Sequence, residues 1–172
     1  EFQLQEALDT GRSVWVIGDV HGYFDTASNL IEKINLKDGD FAVSLGDLID
    51  RGPDSDRTIR FFRNENRLVF LLGNHEFMML RALEKNKNKS WNSWLKFGGV
   101  ETLQSFGVER GSHEKLADEW VEYLKTIPTE IVLDKFRLVH AGFDPERELE
   151  EQRDHERLWS REIFHSKNPI DE

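Results

Sequence analysis

Four short stretches of this chain combine glycine with side chains that bind metal ions. Their sequences are GDVHG at 18–22, GDLIDRG at 46–52, GNHE at 73–76 and HAG at 140–142. Carboxylate, imidazole and amide groups are oxygen and nitrogen donors, which suit borderline or hard divalent cations. The four stretches together predict a metal site on which several short loops converge.

Each of these stretches directly follows an apolar run that is typical of a β-strand. The runs cover residues 14–17, 41–45, 68–72 and 136–139. The ends of successive strands can meet at one edge of a sheet, and open α/β sheets bind their ligands there. Strand-like and helix-like periods alternate in the first part of the chain, which predicts an α/β fold.

The second part of the chain predicts shorter elements. Residues 90–107 favour two short helices around the Gly-Gly pair at 98–99, and we interpret the Trp and Phe side chains of this segment as core. Apolar residues at helical spacing over 116–127 predict a further helix that ends at Pro128. Residues 129–140 are typical of two strands that pair with each other.

Composition narrows the class of protein. The chain has 172 residues, 38% hydrophobic and 33% charged, which is typical of one globular domain. No apolar run approaches the length of a membrane span, so we expect no membrane partner and a cytoplasmic location. The net charge of −10 argues against broad nucleic-acid binding. The absence of Cys excludes a thiolate nucleophile.

The order and spacing of the first three motifs resemble the calcineurin-like metallophosphoesterases. Gly-Asp-x-x-Asp-Arg-Gly followed by Gly-Asn-His-Glu is similar to the phosphoprotein-phosphatase branch, especially small bacterial and phage serine/threonine phosphatases and diadenosine tetraphosphatases. The LWSRE segment at 158–162 also matches those enzymes, so the resemblance spans about residues 14–162. It implies one metallophosphoesterase domain over 1–172, a sandwich of two facing mixed β-sheets flanked by helices.

The resemblance also implies a further Gly-His-Thr strand end, whose His binds the second metal. The sequence contains no such motif after residue 162. We therefore expect either a domain that is truncated at its C-terminal side or a second metal site that lacks one ligand. His165 does not stand in a Gly-His-Thr setting, so we interpret it, like His113 and His155, as a surface residue.

The family implies two divalent metal ions held by five residues of this chain. Manganese is the expected metal, with iron, zinc, nickel or magnesium as alternatives. Asp19 and His21 are the implied ligands of the first ion, and Asn74 and His140 those of the second. Asp47 is the implied bridge between the two ions, since one carboxylate can bind two cations with its two oxygens.

Four further residues are implied in catalysis and substrate binding. In the family the residue that matches His75 protonates the leaving oxygen and the residue that matches Asp50 pairs with it. Arg51 and Arg161 match arginines that bind phosphate, for which a guanidinium fork is well suited. We interpret Glu76 as support for a loop rather than as a metal ligand.

These roles predict a metal-dependent phosphoric ester hydrolase that uses a metal-bridging hydroxide. The first expectation is a serine/threonine phosphoprotein phosphatase, and the alternative is a dinucleoside polyphosphate hydrolase that cleaves diadenosine tetraphosphate. The expected partner is accordingly a phosphorylated protein or a nucleotide. A third hypothesis is a non-catalytic binding scaffold that keeps the fold without holding two metals.

Overall fold

The computed structural model describes residues 1–84, 88–108 and 118–162 of the chain. A three-stranded parallel sheet is formed by β1 (Val14–Ile17), β2 (Phe41–Ser44) and β3 (Leu68–Phe70), in that order. Because the three strands are parallel, their carboxyl ends share one edge of the sheet. The loops that leave these ends are the ones that carry the first three motifs.

A β-hairpin forms a second sheet, in which β4 (Glu130–Leu133) and β5 (Phe136–Val139) pair antiparallel. The α-helices of the described part are α1 (Phe2–Asp9), α2 (Phe24–Ile34), α3 (Ser55–Asn64), α4 (Asn74–Leu83), α5 (Asn88–Trp94), α6 (Val100–Ser105), α7 (Asp118–Lys125) and α8 (Asp154–Trp159). A π-helical turn (Leu95–Gly99) joins α5 to α6, and a 3₁₀ turn (Leu149–Glu151) precedes α8.

Side chains alternate between the two faces of the parallel sheet, as the period of a strand requires. On one face, Ala42 and Phe70 pack among the helices in the larger core. On the other face, Val43 packs with Ile131 and Leu133 of the hairpin in a smaller core. The two sheets therefore face each other across the smaller core.

The predicted α/β fold with two facing sheets is confirmed. The described strands are segregated by direction, with parallel pairs in one sheet and an antiparallel pair in the other. The strand expected over 68–72 stops at Phe70, because the N–H of Leu72 donates to the carbonyl of Pro128 at 2.8 Å. The N-terminal helix α1 was not predicted, and its buried Leu4 belongs to the smaller core.

The helices expected around the Gly-Gly pair are present as α5 and α6, and α7 confirms the next helix, although residue 116 lies outside the described residues. The interpretation of the aromatic side chains as core holds for Trp91 and Trp94 but is wrong for Phe97, which is 53% exposed. Phe97 lies in the π-helical turn just before Gly98, whose φ of 113° interrupts the helical register. The side chain of Phe97 consequently does not lie on the buried face that Trp91 and Trp94 share.

None of the helices in the part of the chain that the structure describes is long and apolar enough to cross a membrane.

Candidate metal centre and proton-donor site

The loops that follow β1 and β2 run against each other at the carboxyl edge of the parallel sheet. The N–H groups of Val20 and His21 both donate to the carbonyl of Asp47, at 3.1 and 2.7 Å. His21 and Asp47 have positive φ values of 49° and 55°, and Asp50 and Arg51 of 71° and 68°. Non-glycine residues rarely adopt this conformation, and such residues cluster at functional sites.

Close backbone contact between the loops explains two of the motif glycines. A Cβ atom on Gly46 would lie 2.5 Å from Cα of Gly73, the residue that precedes α4. A Cβ atom on Gly52 would lie 2.2 Å from the carbonyl oxygen of His21. Any side chain at either position would force the loops apart, so these glycines permit the convergence that the motifs predict.

Glu76 joins the loop after β2 to the start of α4. Its buried carboxylate accepts hydrogen bonds from the N–H groups of Asp47 at 2.9 Å, Leu48 at 2.7 Å, Ile49 at 3.2 Å and Gly73 at 2.9 Å. Burial, followed by the charge of Asp47, raises the pKa of Glu76 to about 7, and the backbone N–H groups oppose that rise. Glu76 thus supports the loop, in agreement with its interpretation from the sequence.

We call Asp19, His21, Asp47, Asn74 and His140 the ligand cluster. Asp47 lies at its centre and is 3% exposed. One carboxylate oxygen of Asp47 lies 3.7 Å from Nε2 of His21, and the other lies 3.6 Å from Nε2 of His140. Nε2 of His21 is also 3.7 Å from a carboxylate oxygen of Asp19. Four of the five residues expected to bind metal are therefore brought together around Asp47.

Both histidines of the ligand cluster are oriented by the backbone. Nδ1 of His21 lies 2.9 Å from the carbonyl oxygen of Ile49, and Nδ1 of His140 lies 2.9 Å from that of Leu45. A carbonyl only accepts, so Nδ1 donates in each ring and Nε2 faces the carboxylates. Metal-binding histidines are commonly held by this kind of outer hydrogen bond.

Asn74 is the first residue of α4, and its amide is oriented in the same manner. The Nδ2 group of Asn74 donates to the carbonyl of Leu158 at 3.3 Å. Within the described ranges, Oδ1 of Asn74 and Nε2 of His21 are buried and make no hydrogen bond. A buried polar atom without a partner is costly, and both of these atoms are potential metal donors.

The donor set and its spacing fit divalent cations. Ligand atoms that each lie about 2.1 Å from one cation are about 3.0–3.6 Å apart at angles between 90° and 120°. The separations of 3.6–3.7 Å around Asp47 are close to that range and too long for hydrogen bonds. Two groups of three possible ligands share Asp47: His21, Asp47 and His75, and Asp19, Asp47 and His140.

His75 differs from the ligand cluster because both of its ring nitrogens already have partners. Its Nδ1 lies 2.7 Å from a carboxylate oxygen of Asp50, and its Nε2 lies 2.9 Å from Nη2 of Arg51. We call these three residues the Asp50 triad. A guanidinium only donates, so in this arrangement Nε2 accepts and the ring is neutral with its proton on Nδ1. His75 is therefore held as the partner of Asp50 and Arg51.

Opposing influences act on the pKa of His75. Burial disfavours the imidazolium and is the largest single influence, but the hydrogen bond to Asp50 and the charges of Asp47 and Asp50 together outweigh it. The pKa of His75 consequently lies above its usual value. The contact with Arg51 requires a neutral ring, whereas the two carboxylates favour a second proton at Nε2.

The carboxylate of Asp50 is completely buried and is surrounded by donors that the sequence analysis did not identify. Nε1–H of Trp94 donates to its two oxygens at 2.9 and 3.1 Å, and the hydroxyl of Thr102 donates at 2.6 Å. The N–H of Asp50 donates to the hydroxyls of Ser55 and Thr102 at 3.1 and 2.9 Å. These donors thus hold Asp50 in position for its hydrogen bond to His75. Trp94 and Thr102 both come from the segment that flanks the Gly-Gly pair, which is the signal in the sequence that could have pointed to them.

The two predicted phosphate-binding arginines differ in placement. Arg51 belongs to the Asp50 triad and is an exposed residue, although its contact with His75 is partly buried. Arg161 is exposed near the end of the described residues, and in that part of the chain it makes no hydrogen bond or ion pair with the ligand cluster. His155 lies against the ring of Trp159, with centroids 5.6 Å apart, while His113 and His165 lie outside the described residues.

The loop after β5 is joined to the rest of the site by α8. The N–H of Ala141, next to His140, donates to the carbonyl of Arg157 at 2.8 Å. The adjacent Leu158 is fully buried and its carbonyl accepts from Asn74. Trp159 stacks edge to face on Phe77 of α4 at 5.3 Å between centroids. The end of α8 therefore positions two members of the ligand cluster, one of them through Leu158 of the LWSRE segment.

A comparison with protein families gives a match to the calcineurin-like phosphoesterase model over residues 12–171. Serine/threonine-protein phosphatase 2 of Salmonella typhimurium is 30% identical over 157 residues, which are 90% of this chain and 70% of that protein. The symmetrical bis(5'-nucleosyl)-tetraphosphatase of Vibrio parahaemolyticus is 29% identical over 146 residues, 82% of this chain and 48% of that protein.

Among solved structures, a candidate diadenosine tetraphosphatase has a TM-score of 0.63 at 24% identity, covering 84% of this chain and 57% of that one. A Saccharomyces cerevisiae protein serine/threonine phosphatase has a TM-score of 0.56 at 21% identity, covering 80% of this chain and 43% of that one. These likenesses establish the fold. The chain spans 70% of the Salmonella phosphatase but only about half of the Vibrio tetraphosphatase.

Proposed function

The chain belongs to the calcineurin-like phosphoesterase family, and we propose that it is a metal-dependent phosphoric ester hydrolase that acts on phosphoserine or phosphothreonine in proteins. The observation that carries this proposal is that the ligand cluster and the Asp50 triad lie side by side. The ligand cluster leaves buried donor atoms open around Asp47, and the Asp50 triad beside it holds an imidazole that is ready to take up a proton.

The ligand cluster is the proposed holder of two divalent cations. Asp19, His21 and Asp47 would hold one, and Asp47, Asn74 and His140 the other, with Mn²⁺ as the expected metal. Bound cations supply an activated water nucleophile and neutralise charge on the phosphate. Asp19 lies near both His21 and His140, so its carboxylate can bind either cation.

Arg51 is proposed to bind the phosphate and at the same time to release His75. The guanidinium fork fits phosphate oxygens better than a single ring nitrogen, because two parallel hydrogen bonds form with a charged acceptor. When Arg51 turns to the phosphate, Nε2 of His75 loses its donor and can hold a proton, which the raised pKa favours. Arg161 is proposed as a second phosphate ligand.

His75 then acts as the general acid. As water attacks phosphorus and the bond to the leaving oxygen breaks, the proton on Nε2 passes to that oxygen. Asp50 keeps the ring oriented through Nδ1 and stabilises the imidazolium before the transfer. The serine or threonine hydroxyl leaves protonated, and the phosphate leaves as an anion.

The second candidate substrate is a dinucleoside polyphosphate. It is favoured by the similarity to the Vibrio tetraphosphatase and by the likeness to the candidate diadenosine tetraphosphatase. Both candidate substrates require the same ligand cluster and the same proton donor. The two proposals therefore differ in which leaving group the site binds.

The decisive experiment compares three substrates with protein that has first been stripped of metal by a chelator. Rates on p-nitrophenyl phosphate, a phosphoserine peptide and diadenosine tetraphosphate are measured before and after Mn²⁺ is added, together with the metal content. We expect about two cations per chain, hydrolysis only with the cation, and a higher kcat/KM for the peptide. A higher kcat/KM for diadenosine tetraphosphate would select the second candidate. If the protein bound one cation or none and hydrolysed no substrate, the proposal that it is an enzyme would be wrong.

A further inference from the structure

An open cavity of about 500 Å³ is lined by Arg51 of the Asp50 triad. Its wall is the π-helical turn and the start of α6, with Lys96, Phe97 and Glu101 among the lining residues. Phe97 is 53% exposed, although Trp94 and Gly99 near it in the chain are buried. A cavity of this size is within the range that binds small molecules or short peptide segments.

This cavity is attached to the proposed proton donor through Arg51. The N–H of Arg51 donates to the carbonyl of Gly98 at 3.3 Å, and Nη2 of the same residue contacts Nε2 of His75. A Cβ atom on Gly98 would lie 2.5 Å from the backbone nitrogen of Arg51, so only glycine lets the wall come this close. The cavity and the leaving-group side of the site therefore share one residue.

In an in-line displacement the leaving group departs on the side opposite to the nucleophile. His75 must contact the leaving oxygen to protonate it, and Arg51, which contacts the same ring nitrogen of His75, lines the cavity. The group bonded to that oxygen therefore lies next to Arg51 and to the cavity. We propose that the cavity binds the leaving group and that it selects the polypeptide that flanks a phosphoserine or phosphothreonine; this inference rests on the proposed function.

The charges of the cavity wall favour a peptide over a nucleotide. With Arg51 engaged by the transferred phosphate, the wall offers one cation, Lys96, and one anion, Glu101, which balance each other. A nucleoside diphosphate leaving group carries several negative charges, and once Arg51 is engaged the wall offers it no net positive charge. A seryl or threonyl peptide has an uncharged leaving oxygen, and Glu101 can pair with a basic residue beside it.

Phe97 gives the cavity an apolar contact for a flanking side chain. Its exposed ring offers surface that an aromatic or aliphatic residue next to the phosphorylated position would cover. The preferred substrate is therefore a phosphopeptide with one apolar and one basic residue near the phosphoserine.

The test measures kcat/KM with Mn²⁺ for wild type, Phe97→Ala and the matched control Phe136→Ala, whose side chain is 56% exposed on β5. The substrates are a phosphoserine peptide with a flanking Phe, the same peptide with Ala in place of that Phe, free phosphoserine and diadenosine tetraphosphate. We expect Phe97→Ala to lower kcat/KM about tenfold more for the Phe peptide than for free phosphoserine. Phe136→Ala should leave the ratio of kcat/KM for the Phe peptide to kcat/KM for free phosphoserine as in wild type.

Equal losses on the Phe peptide and free phosphoserine would overturn the proposal. A Phe97→Ala loss confined to diadenosine tetraphosphate would also overturn it, because the cavity would then bind a nucleotide. Calorimetric titration with a non-hydrolysable phosphonate analogue of the Phe peptide gives a readout without turnover. Weaker binding by Phe97→Ala than by Phe136→Ala supports the cavity even if no substrate is hydrolysed, a result that would reject the proposed function alone; equal binding rejects the cavity.

Discussion

The Asp50 triad and the ligand cluster lie side by side, yet their polar atoms are satisfied to very different degrees. The carboxylate of Asp50 accepts from His75, Trp94 and Thr102. In the ligand cluster, by contrast, Nε2 of His21 and Oδ1 of Asn74 are buried without hydrogen-bond partners in the described part of the chain.

The difference separates what the chain organises by itself from what it leaves for a ligand. The Asp50 triad is held by protein donors, so its geometry does not depend on a bound ion. The ligand cluster holds lone pairs and carboxylates against one another, which is unfavourable until a cation lies between them. Substitutions in the two regions should therefore fail in different ways.

Asp47→Asn should have the largest effect, because it removes charge from the centre of the ligand cluster. We expect hydrolysis of p-nitrophenyl phosphate to fall by roughly 10⁴-fold or more, since an activated water is no longer supplied. Metal content, measured by elemental analysis, should fall with the rate. Asp134→Asn, at an exposed turn, is the control and should retain both. A variant at position 47 that kept two cations and normal turnover would show that Asp47 does not bridge them.

His75→Asn should break the Asp50 triad and leave the ligand cluster intact. A general acid matters most for a poor leaving group, so the rate on a phosphoserine peptide should fall about 10²- to 10³-fold. The rate on p-nitrophenyl phosphate should fall less than about tenfold, because its leaving group needs little protonation. Metal content should stay near that of wild type. Loss of a cation, or equal losses on both substrates, would place His75 among the ligands.

Thr102→Val tests how firmly the Asp50 triad is held without changing any of its members. The substitution keeps the volume but removes the hydroxyl that donates to Asp50 and accepts from its N–H. We expect a loss of about 1–3 kcal/mol in the free energy of unfolding, since it leaves buried groups without partners. The rate on a phosphoserine peptide should fall about tenfold.

Thr126→Val is the matched control for that substitution, because its hydroxyl bonds to the carbonyl of Tyr123 at an exposed position. Denaturant unfolding and peptide hydrolysis are measured for both variants. If Thr102→Val were as stable and as active as Thr126→Val, the buried hydrogen bonds around Asp50 would not determine its orientation.

The sequence predicted the convergence of the ligand cluster because its members follow strand ends. Parallel strands share a carboxyl edge, so Asp19, Asp47 and Asn74 come together once the three strands pair. Glycines at motif positions permit the close contact between the loops, as the approach of Gly46 to Gly73 shows. Local pattern and tertiary arrangement agree in this region.

The surroundings of Asp50 could not be read from the chain in the same way. Trp94 and Thr102 lie more than forty residues from Asp50 and reach it only because α5 and α6 pack over the loop. Apolar periodicity identifies Trp94 as core but does not reveal that its indole N–H has a buried carboxylate as partner. Phe97 was assigned to the core because periodicity does not anticipate a π-helical turn at a glycine of positive φ.

Glu156→Gln should have the smallest effect, and it concerns only the support of the ligand cluster. Glu156 accepts hydrogen bonds from the backbone N–H of Arg153 at 2.9 Å and from the guanidinium of Arg153. These contacts lie at the start of α8, whose end positions Asn74 and His140. The hydrogen bond from Arg153 lowers the pKa of Glu156 to about 2.

A carboxyl whose pKa is lower in the folded state stabilises the fold above its unfolded pKa, near 4.5, and this stabilisation is lost as the pH falls towards 2. The midpoint of thermal unfolding of Glu156→Gln should therefore lie below that of wild type above pH 4.5, and the two curves should converge on acidification. The shift is expected to be small because Arg153 is largely exposed and its charge is screened. A constant difference from pH 7 to pH 2 would show that the effect comes from packing rather than from the charge of Glu156.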